Sequence, residues 1–285
     1  MRHTLILPWL IIFCAFWLVP IVASFLMSLT DYSYLSGVPA ATFRGFGNYS
    51  SILQNPSFWN AAWNTLVFTS GTVPITIMLA LILAALLNEA ERFQSFFRTA
   101  FFLPSVLSVT VLCMIFDQFY AREGYLGKLA AILGLETPGL LLMPGTALFS
   151  VMAMDVFVSV GYYTILFLAA MKSVPSELAE NTRLMGASFF QQFWLITLPL
   201  VKPMILFAVV INTIKSLQIF TEIYMLTKGG PLQSTTTVVY WLYELGFKRF
   251  ESGYASALAY LLLAATAFIS WLQMRILVSN TTSKS

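Results

Sequence analysis

Charged residues are scarce in this sequence of 285 residues. Asp, Glu, Lys and Arg together make up 9% of it, against about a quarter in an average soluble domain, while 59% of the residues are hydrophobic. This deficit excludes an ordinary soluble protein and is typical of a chain that resides in a membrane. The net charge of +3 is small and dispersed, so no nucleic-acid partner is expected.

Residues that commonly carry chemistry are equally rare. The sequence has one histidine, His3, and no Gly-x-x-x-x-Gly-Lys-Ser/Thr motif that would hold ATP phosphates. Its two cysteines, Cys14 and Cys113, lie within long apolar runs, which argues against a disulfide framework or a metal site. No pair of carboxylates has a spacing typical of acid–base catalysis. We therefore predict that the chain is not an enzyme, has no catalytic residue, and itself binds no metal or cofactor.

Six apolar runs are long enough to cross a bilayer. A transmembrane helix needs about 20 mostly apolar residues, because backbone polar groups in lipid must be hydrogen-bonded within the helix. The predicted spans are Leu5–Leu29, Ala62–Leu87, Thr99–Phe119, Thr146–Met171, Met204–Leu226 and Tyr254–Val278. The first run is longer than the apolar region of a signal peptide, so we expect it to be retained. The predicted fold class is all-α: a polytopic membrane helix bundle with six transmembrane helices.

The basic residues favour one orientation of this bundle. Of the 15 Lys and Arg residues, Lys215 lies within a span, eight fall on the side of the N-terminus and six on the other side. Basic loops stay in the cytoplasm, so the bias, although small, predicts a cytoplasmic N-terminus.

The most polar internal segment is SELAENTRLMGASFFQQFWLITLPLVKP, residues 176–203. Its pattern predicts two short helices separated by a turn. Gly186 suits the left-handed conformation that ends a helix, and Ser188 with Gln191 forms a potential capping box for the next one. The two prolines near its end are expected to break or kink the chain where it re-enters the membrane. A plain interfacial helix among lipid headgroups is the alternative.

This segment resembles the EAA motif of the membrane subunits of binding-protein-dependent ABC importers. The family pattern runs Pro-x-Glu-Leu-x-Glu-Ala-Ala-x-x-Asp-Gly-Ala and continues Phe-x-x-Ile-x-Leu-Pro-x-x-x-Pro. The residues that match in register are Pro175, Glu177, Leu178, Glu180, Gly186, Ala187, Phe193, Ile196, Leu198, Pro199 and Pro203. Asn181 and Thr182 replace the two alanines of the pattern, and Met185 replaces its aspartate.

A second block resembles the sugar-uptake branch of the same family. It is FTEIYMLTKGGPLQSTTTVVYWLYELGF, residues 220–247, with Leu-Thr-x-Gly-Gly-Pro followed by a run of threonines. The segments FRTAFFLPSVLS (97–108) and FLAAMKSVPSEL (167–178) fit the branch as well. The outer loop TKGGPLQSTTT would lie near a docked solute-binding protein in that family, or would simply cap the bundle.

The resemblance implies a division of the chain and a set of partners. Residues 1–57 would form an N-terminal transmembrane helix and external loop. Residues 58–285 would form a permease core of five transmembrane helices, with the fold of a type I ABC importer and a cytoplasmic coupling helix at 176–203. The implied partners are a second permease subunit in a heterodimer, two ATPase subunits that bind ATP and Mg, and an extracytoplasmic solute-binding protein. The implied location is the bacterial inner membrane, as a multi-pass protein.

In this family the segment that corresponds to residues 176–203 fits into a cleft of the ATPase subunit, and we call it the coupling loop. Glu180 is predicted to contact the ATPase subunit, and Gly186 is predicted to form the turn. Arg183 would add a polar contact with the same subunit. The predicted coupling residues are Glu177, Glu180, Arg183, Gly186 and Ala187.

Three ionisable residues, Asp155, Lys215 and Glu222, fall within predicted spans. A charge at mid-bilayer costs about 2.5–3.5 kcal/mol on insertion scales, so each should face water or an opposite charge. Helical spacing adds polar and aromatic neighbours on the same faces, and the corresponding segments of sugar permeases line the translocation pathway. The predicted pathway residues are Asp155, Ser159, Tyr162, Asn212, Lys215, Ser216 and Ile219. An Asp155–Lys215 ion pair that only holds the bundle together is the alternative, and both roles are compatible.

We therefore predict a permease subunit of an ATP-driven importer for a sugar or oligosaccharide. An unpaired Lys215 would favour an acidic sugar such as a uronate oligomer. The rival predictions are an ion-coupled secondary transporter that uses Asp155 and Glu222 as ion sites, and a non-transporting membrane scaffold.

Overall fold

The computed structural model describes residues 6–35, 41–89, 94–134, 139–175, 177–178, 182 and 184–282. Within these ranges the chain forms helices, turns and isolated β-bridges, and no strand. The helices are α1 (Leu7–Phe13), α2 (Val19–Ser28), α3 (Gly47–Gln54), α4 (Pro56–Glu89), α5 (Gln94–Val106), α6 (Val109–Tyr120), α7 (Tyr125–Ile132), α8 (Pro144–Lys172), α9 (Phe189–Gln192), α10 (Leu198–Leu217), α11 (Thr221–Leu226), α12 (Val238–Tyr243) and α13 (Ser252–Thr282). Cys14–Leu18, Phe193–Thr197 and Glu244–Lys248 are π-helical turns, and Leu140–Leu142 is a 3-10 turn.

Five helical runs in the described ranges are long and apolar enough to cross a membrane. They are Pro8–Ser28, Pro56–Glu89, Pro144–Lys172, Phe189–Leu226 and Ser252–Ile276. Helices α5 and α6 pass the same test only as a pair, and a bend of 97° separates them, so the six predicted spans are recovered if this pair counts as one.

The third predicted span, Thr99–Phe119, is therefore broken rather than continuous. Pro104 lies near the end of α5, and Ser108 takes an extended ψ of 130° just before α6. A proline inside a helix removes one backbone hydrogen bond and crowds the preceding turn, which favours an interruption at this point.

The entrance of the fifth span differs from the prediction. Neither Pro199 nor Pro203 interrupts the helix: Pro199 lies in the first turn of α10, and Pro203 lies inside it. A proline in a first turn loses no helical hydrogen bond, and the wider π-helical turn Phe193–Thr197 directly precedes it. The break comes at the other end, because α10 stops at Leu217 and α11 resumes only at Thr221.

The chain forms two compact packing units: Met1–Ala62 with Thr237–Phe268, and Trp63–Thr236 with Ile269–Ser285. In the first unit, the Asn48 amide donates to the carbonyls of Ser28 and Thr30 at 2.9 and 2.7 Å, which fastens α3 to the end of α2. The predicted domains, 1–57 and 58–285, divide the chain by function rather than by packing, and stay a prediction.

The core of the second unit brings α4, α8 and α10 together. Its buried residues include Val73, Ile77, Ala80, Ala84, Tyr163, Phe167, Met171, Val201 and Ala208. The small residues allow the helix backbones to approach closely, as is usual in membrane bundles. The extreme case is Gly161 of α8, where an added Cβ would lie 1.9 Å from the Phe101 carbonyl oxygen of α5. These contacts fix the rotation of α8 and α10, which carry the predicted pathway residues.

Candidate functional site

An ion pair joins α8 to α10. The Lys215 Nζ donates to Asp155 Oδ1 at 2.9 Å and to Ser159 Oγ at 2.7 Å. The Asp155 side chain is 2% exposed, whereas that of Lys215 is 45% exposed. The structure therefore brings three of the predicted pathway residues together, and the side chain of Lys215 is partly exposed at the surface of the chain.

A buried polar layer continues from this pair towards α4. The hydroxyls of Thr72 and Ser216 lie 3.3 Å apart, and Thr72 also donates to the Phe68 carbonyl at 2.8 Å. Since the single Thr72 hydrogen is directed to that carbonyl, Ser216 donates to Thr72.

Asn212 is fully buried, and in the described part of the chain neither atom of its amide has a hydrogen-bond partner. The Oγ1 of Thr76 is also buried, and it too has no hydrogen-bond partner among the described residues. Helices α4 and α10 run antiparallel, because Thr72 meets Ser216 while Glu89, farther along α4, shares a small cavity with Thr197. Thr76 and Asn212 are each four residues from the Thr72–Ser216 contact, and therefore lie at one level.

The contribution of α4 to this layer escaped the sequence prediction. Its buried polar residues are Asn64, Thr65, Thr69, Thr72 and Thr76. From Thr65 to Thr76 the spacing is four, three and four residues, and this regular spacing along one helix was the available signal of a polar stripe on an otherwise apolar span.

The remaining pathway residues, Tyr162 and Ile219, differ in exposure. Tyr162 is 49% exposed, and its ring contacts that of Tyr163 edge-on at 5.2 Å. Ile219 follows the end of α10 and is buried. Glu222, the third ionisable residue of the spans, is buried on α11, which packs against α6 and α8.

The coupling loop contains the turn that the sequence predicts. Gly186 has φ of +77°, and Ser188 opens α9 with a complete capping box to Gln191. Glu177 is exposed, and the Ala187 N–H donates to the Thr182 carbonyl at 3.1 Å. Glu180 and Arg183 lie outside the described residues. Their role, like that of the whole predicted coupling set, stays a prediction.

Apolar side chains project from the same loop. Leu184 is 86% exposed and Met185 is 77% exposed, and Phe190 is exposed on α9. Among the described residues, no group of three or more His, Cys, Asp or Glu side chains could hold a metal ion.

Comparison with known proteins identifies the family. Residues 37–278 match the model of the binding-protein-dependent transport system inner membrane component. The chain is 36% identical over 270 residues to the probable ABC transporter permease protein YurN of Bacillus subtilis, covering 93% of this chain and 92% of that protein. It is 33% identical over 272 residues to the lactose transport system permease protein LacF of Rhizobium radiobacter, covering 93% and 90%.

The fold is also that of a solved importer. A chain in the crystal structure of the bacterial alginate ABC transporter, in complex with its alginate pentasaccharide-bound periplasmic protein, superposes with a TM-score of 0.86 at 21% identity. The match covers 98% of this chain and 94% of that chain. The predicted all-α fold of a type I ABC importer permease and the predicted family are both confirmed. The chain therefore belongs to the binding-protein-dependent transport system inner membrane components, the permease subunits of ABC importers.

Proposed function

We propose that this permease lines the path of a sugar or oligosaccharide through an ATP-driven importer of the bacterial inner membrane. The observation that carries the proposal is the half-exposed, charged side chain of Lys215 within a transmembrane run. Relatives that transport lactose and trehalose or maltose by name support a sugar as the substrate.

The position of Lys215 argues for a water-lined surface. A lysine facing lipid near mid-bilayer costs about 2.5–3.5 kcal/mol on insertion scales. Asp155 and Ser159 satisfy one side of the ammonium, which leaves the exposed side to water or to another protein. A second permease subunit facing α8 and α10 across an aqueous path would meet this requirement. Tyr162, which is 49% exposed, would then supply a hydroxyl and a ring face suited to sugar hydroxyls and C–H surfaces, while the buried Ser159, Asn212 and Ser216 would form the polar layer inside the chain.

Two kinds of sugar fit this arrangement. Pairing with Asp155 makes the charged cluster neutral overall, which suits an uncharged saccharide. A uronate oligomer is the second candidate, favoured by the ammonium surface that Asp155 and Ser159 leave open.

The energy would come from two ATPase subunits that bind ATP and Mg. Their closure would push the coupling loop, with Glu177, Glu180, Arg183, Gly186 and Ala187 at the contact, and switch the path from inward-facing to outward-facing. A solute-binding protein would then deliver the sugar. Such coupling requires two global states whose balance depends on nucleotide. This arrangement places the coupling loop and the N-terminus in the cytoplasm, with 1–57 as an added helix and 58–285 as the transporting core.

The test is purification of the tagged chain from its native membrane, followed by reconstitution into proteoliposomes. We expect a second permease and an ATPase subunit to copurify, and uptake of a labelled sugar to require ATP and the solute-binding protein. Uptake by the chain alone in an ion gradient would support the secondary transporter instead. Uptake that persists unchanged after loss of both Asp155 and Lys215 charges would favour a scaffold role for this subunit.

A further inference from the structure

A large cavity lies at the end of α6, away from the Lys215 ion pair. Its volume is about 810 Å³, within the range of about 300–1,000 Å³ usual for ligand pockets. The residues that line it come from three separate segments: 117, 118 and 120–124; 139, 141 and 142; and 226, 227, 230 and 231. The side chains considered below are Asp117, Gln118, Arg122, Glu123 and Thr227.

The first wall of the cavity is fixed by hydrogen bonds and close packing. The Tyr120 hydroxyl donates to the Ser150 carbonyl of α8 at 2.8 Å, and Ala121 forms a β-bridge with Gly139. Gly124 is pressed against α6 so closely that an added Cβ would lie 1.8 Å from the Gln118 carbonyl oxygen. This wall is therefore formed before any ligand arrives.

The opposite wall, the loop after α11, is equally constrained. The Thr227 and Thr235 hydroxyls lie 2.7 Å apart, and Thr235 also donates to the Gly230 carbonyl at 2.8 Å. Lys228 and Gln233 hold left-handed backbone conformations, with φ of 49° and 60°, that non-glycine residues rarely adopt. Local strain of this kind persists only where surrounding contacts enforce it, and it is concentrated at functional sites.

The polar side chains of the cavity are free to bind a ligand. Within the described residues, those of Asp117, Gln118, Arg122 and Glu123 make no hydrogen bond or ion pair with the chain. Arg122 offers only donors, the two carboxylates only acceptors, and Gln118 both. A sugar hydroxyl both donates and accepts, so this mixed lining matches a polyhydroxylated ligand better than a simple ion. Two carboxylates against one guanidinium give the lining a formal charge of −1, which disfavours a uronate.

We propose that this cavity is a saccharide-binding vestibule, selective for uncharged sugars, at the outer mouth of the translocation path. The inference rests on the proposed function for its orientation and its ligand class. Leu226, the last residue of α11, lines the cavity, and α11 is the next helix in the chain after α10, which carries Lys215. A sugar released by the solute-binding protein would meet Asp117 and Gln118 before it reached the ion pair.

The experiment measures saccharide binding to the intact importer in lipid nanodiscs, without its solute-binding protein, by saturation-transfer NMR. The probes are maltotriose, lactose and trigalacturonate. We expect an uncharged probe to bind the wild type more tightly than trigalacturonate. The double variant Asp117→Ala/Gln118→Ala should raise the dissociation constant of the uncharged probe about tenfold, because two hydrogen bonds are lost. Lys128→Ala, exposed on α7 outside the cavity, is the matched control and should change nothing.

Replacing the acids tests selectivity separately. Asp117→Asn/Glu123→Gln keeps the shape of the lining, removes both negative charges, and should bring trigalacturonate binding to the level of the uncharged probe. The proposal is overturned if no uncharged probe binds the wild type, or if the alanine variant binds as the wild type does. Uptake by wild-type proteoliposomes, measured in parallel, tests the proposed function independently: uptake without vestibule binding would refute the vestibule alone.

Discussion

Removing either partner of the Asp155–Lys215 pair should have unequal effects. Lys215→Met leaves a carboxylate that is 2% exposed and whose Oδ2 has no partner among the described residues. Asp155→Leu instead leaves a lysine whose side chain is 45% exposed and whose ammonium is still bound to Ser159. We therefore expect the lysine substitution to be the more damaging.

The structure sets the magnitudes. Removing one partner of a buried ion pair lowers the free energy of unfolding by about 3–5 kcal/mol. Because water has partial access at Lys215, we expect Lys215→Met to cost about 3 kcal/mol. Asp155→Leu should cost about 1 kcal/mol, because water can solvate the remaining ammonium. The double variant replaces the pair by apolar side chains of similar volume, which is close to neutral in other proteins, so its loss should be well below the sum of the single losses.

The measurement is the free energy of unfolding of the purified subunit in mixed SDS micelles, followed by tryptophan fluorescence. Equal losses for the two single variants, or a double variant whose loss equals their sum, would refute this account of the pair. Sugar uptake by the double variant then tests whether the pair has a role in transport. A stable protein with impaired uptake places the pair on the pathway, whereas normal uptake makes it structural.

Three further substitutions test separate parts of the structure. Gly161→Ala should prevent α5 from packing on α8, because its Cβ would meet the Phe101 carbonyl, and should lower the yield of folded protein; Gly145→Ala on the same helix has open space and is the control. Gly186→Val should cost about 1–2 kcal/mol in the turn of the coupling loop and reduce sugar-stimulated ATP hydrolysis, whereas Gly186→Asn should be milder. Asn212→Leu should leave the melting temperature unchanged or raise it, because the amide is fully buried and has no partner in the described chain; a marked fall in melting temperature would contradict this description of the polar layer.

The features that sequence alone predicts best are local in the chain. The left-handed turn at Gly186 and the capping box of Ser188 and Gln191 depend on residues a few positions apart, and the structure contains both. The charges of Asp155 and Lys215 stand out because charged side chains are costly in a membrane.

The features that the sequence left open or missed depend on how helices pack. The sequence named an Asp155–Lys215 pair only as an alternative, because whether the two residues meet, 60 positions apart in the chain, is decided by the rotation of α8 and α10, which small residues such as Ala208 set. The break before Val109 and the end of α10 at Leu217 interrupt apolar runs that the sequence predicts as continuous spans. The vestibule is lined by residues from three segments of the chain, so no single sequence motif predicts it.

The central claim is that the coupling loop transmits the motion of a cytoplasmic ATPase to the sugar path. A photo-crosslinking amino acid at Met185, which is 77% exposed, tests this most directly in the membranes of living cells. We predict a covalent adduct with the ATPase subunit whose yield changes when ATP is trapped. An adduct with lipid alone, or labelling of this position by a membrane-impermeant reagent from outside the cell, would contradict the account.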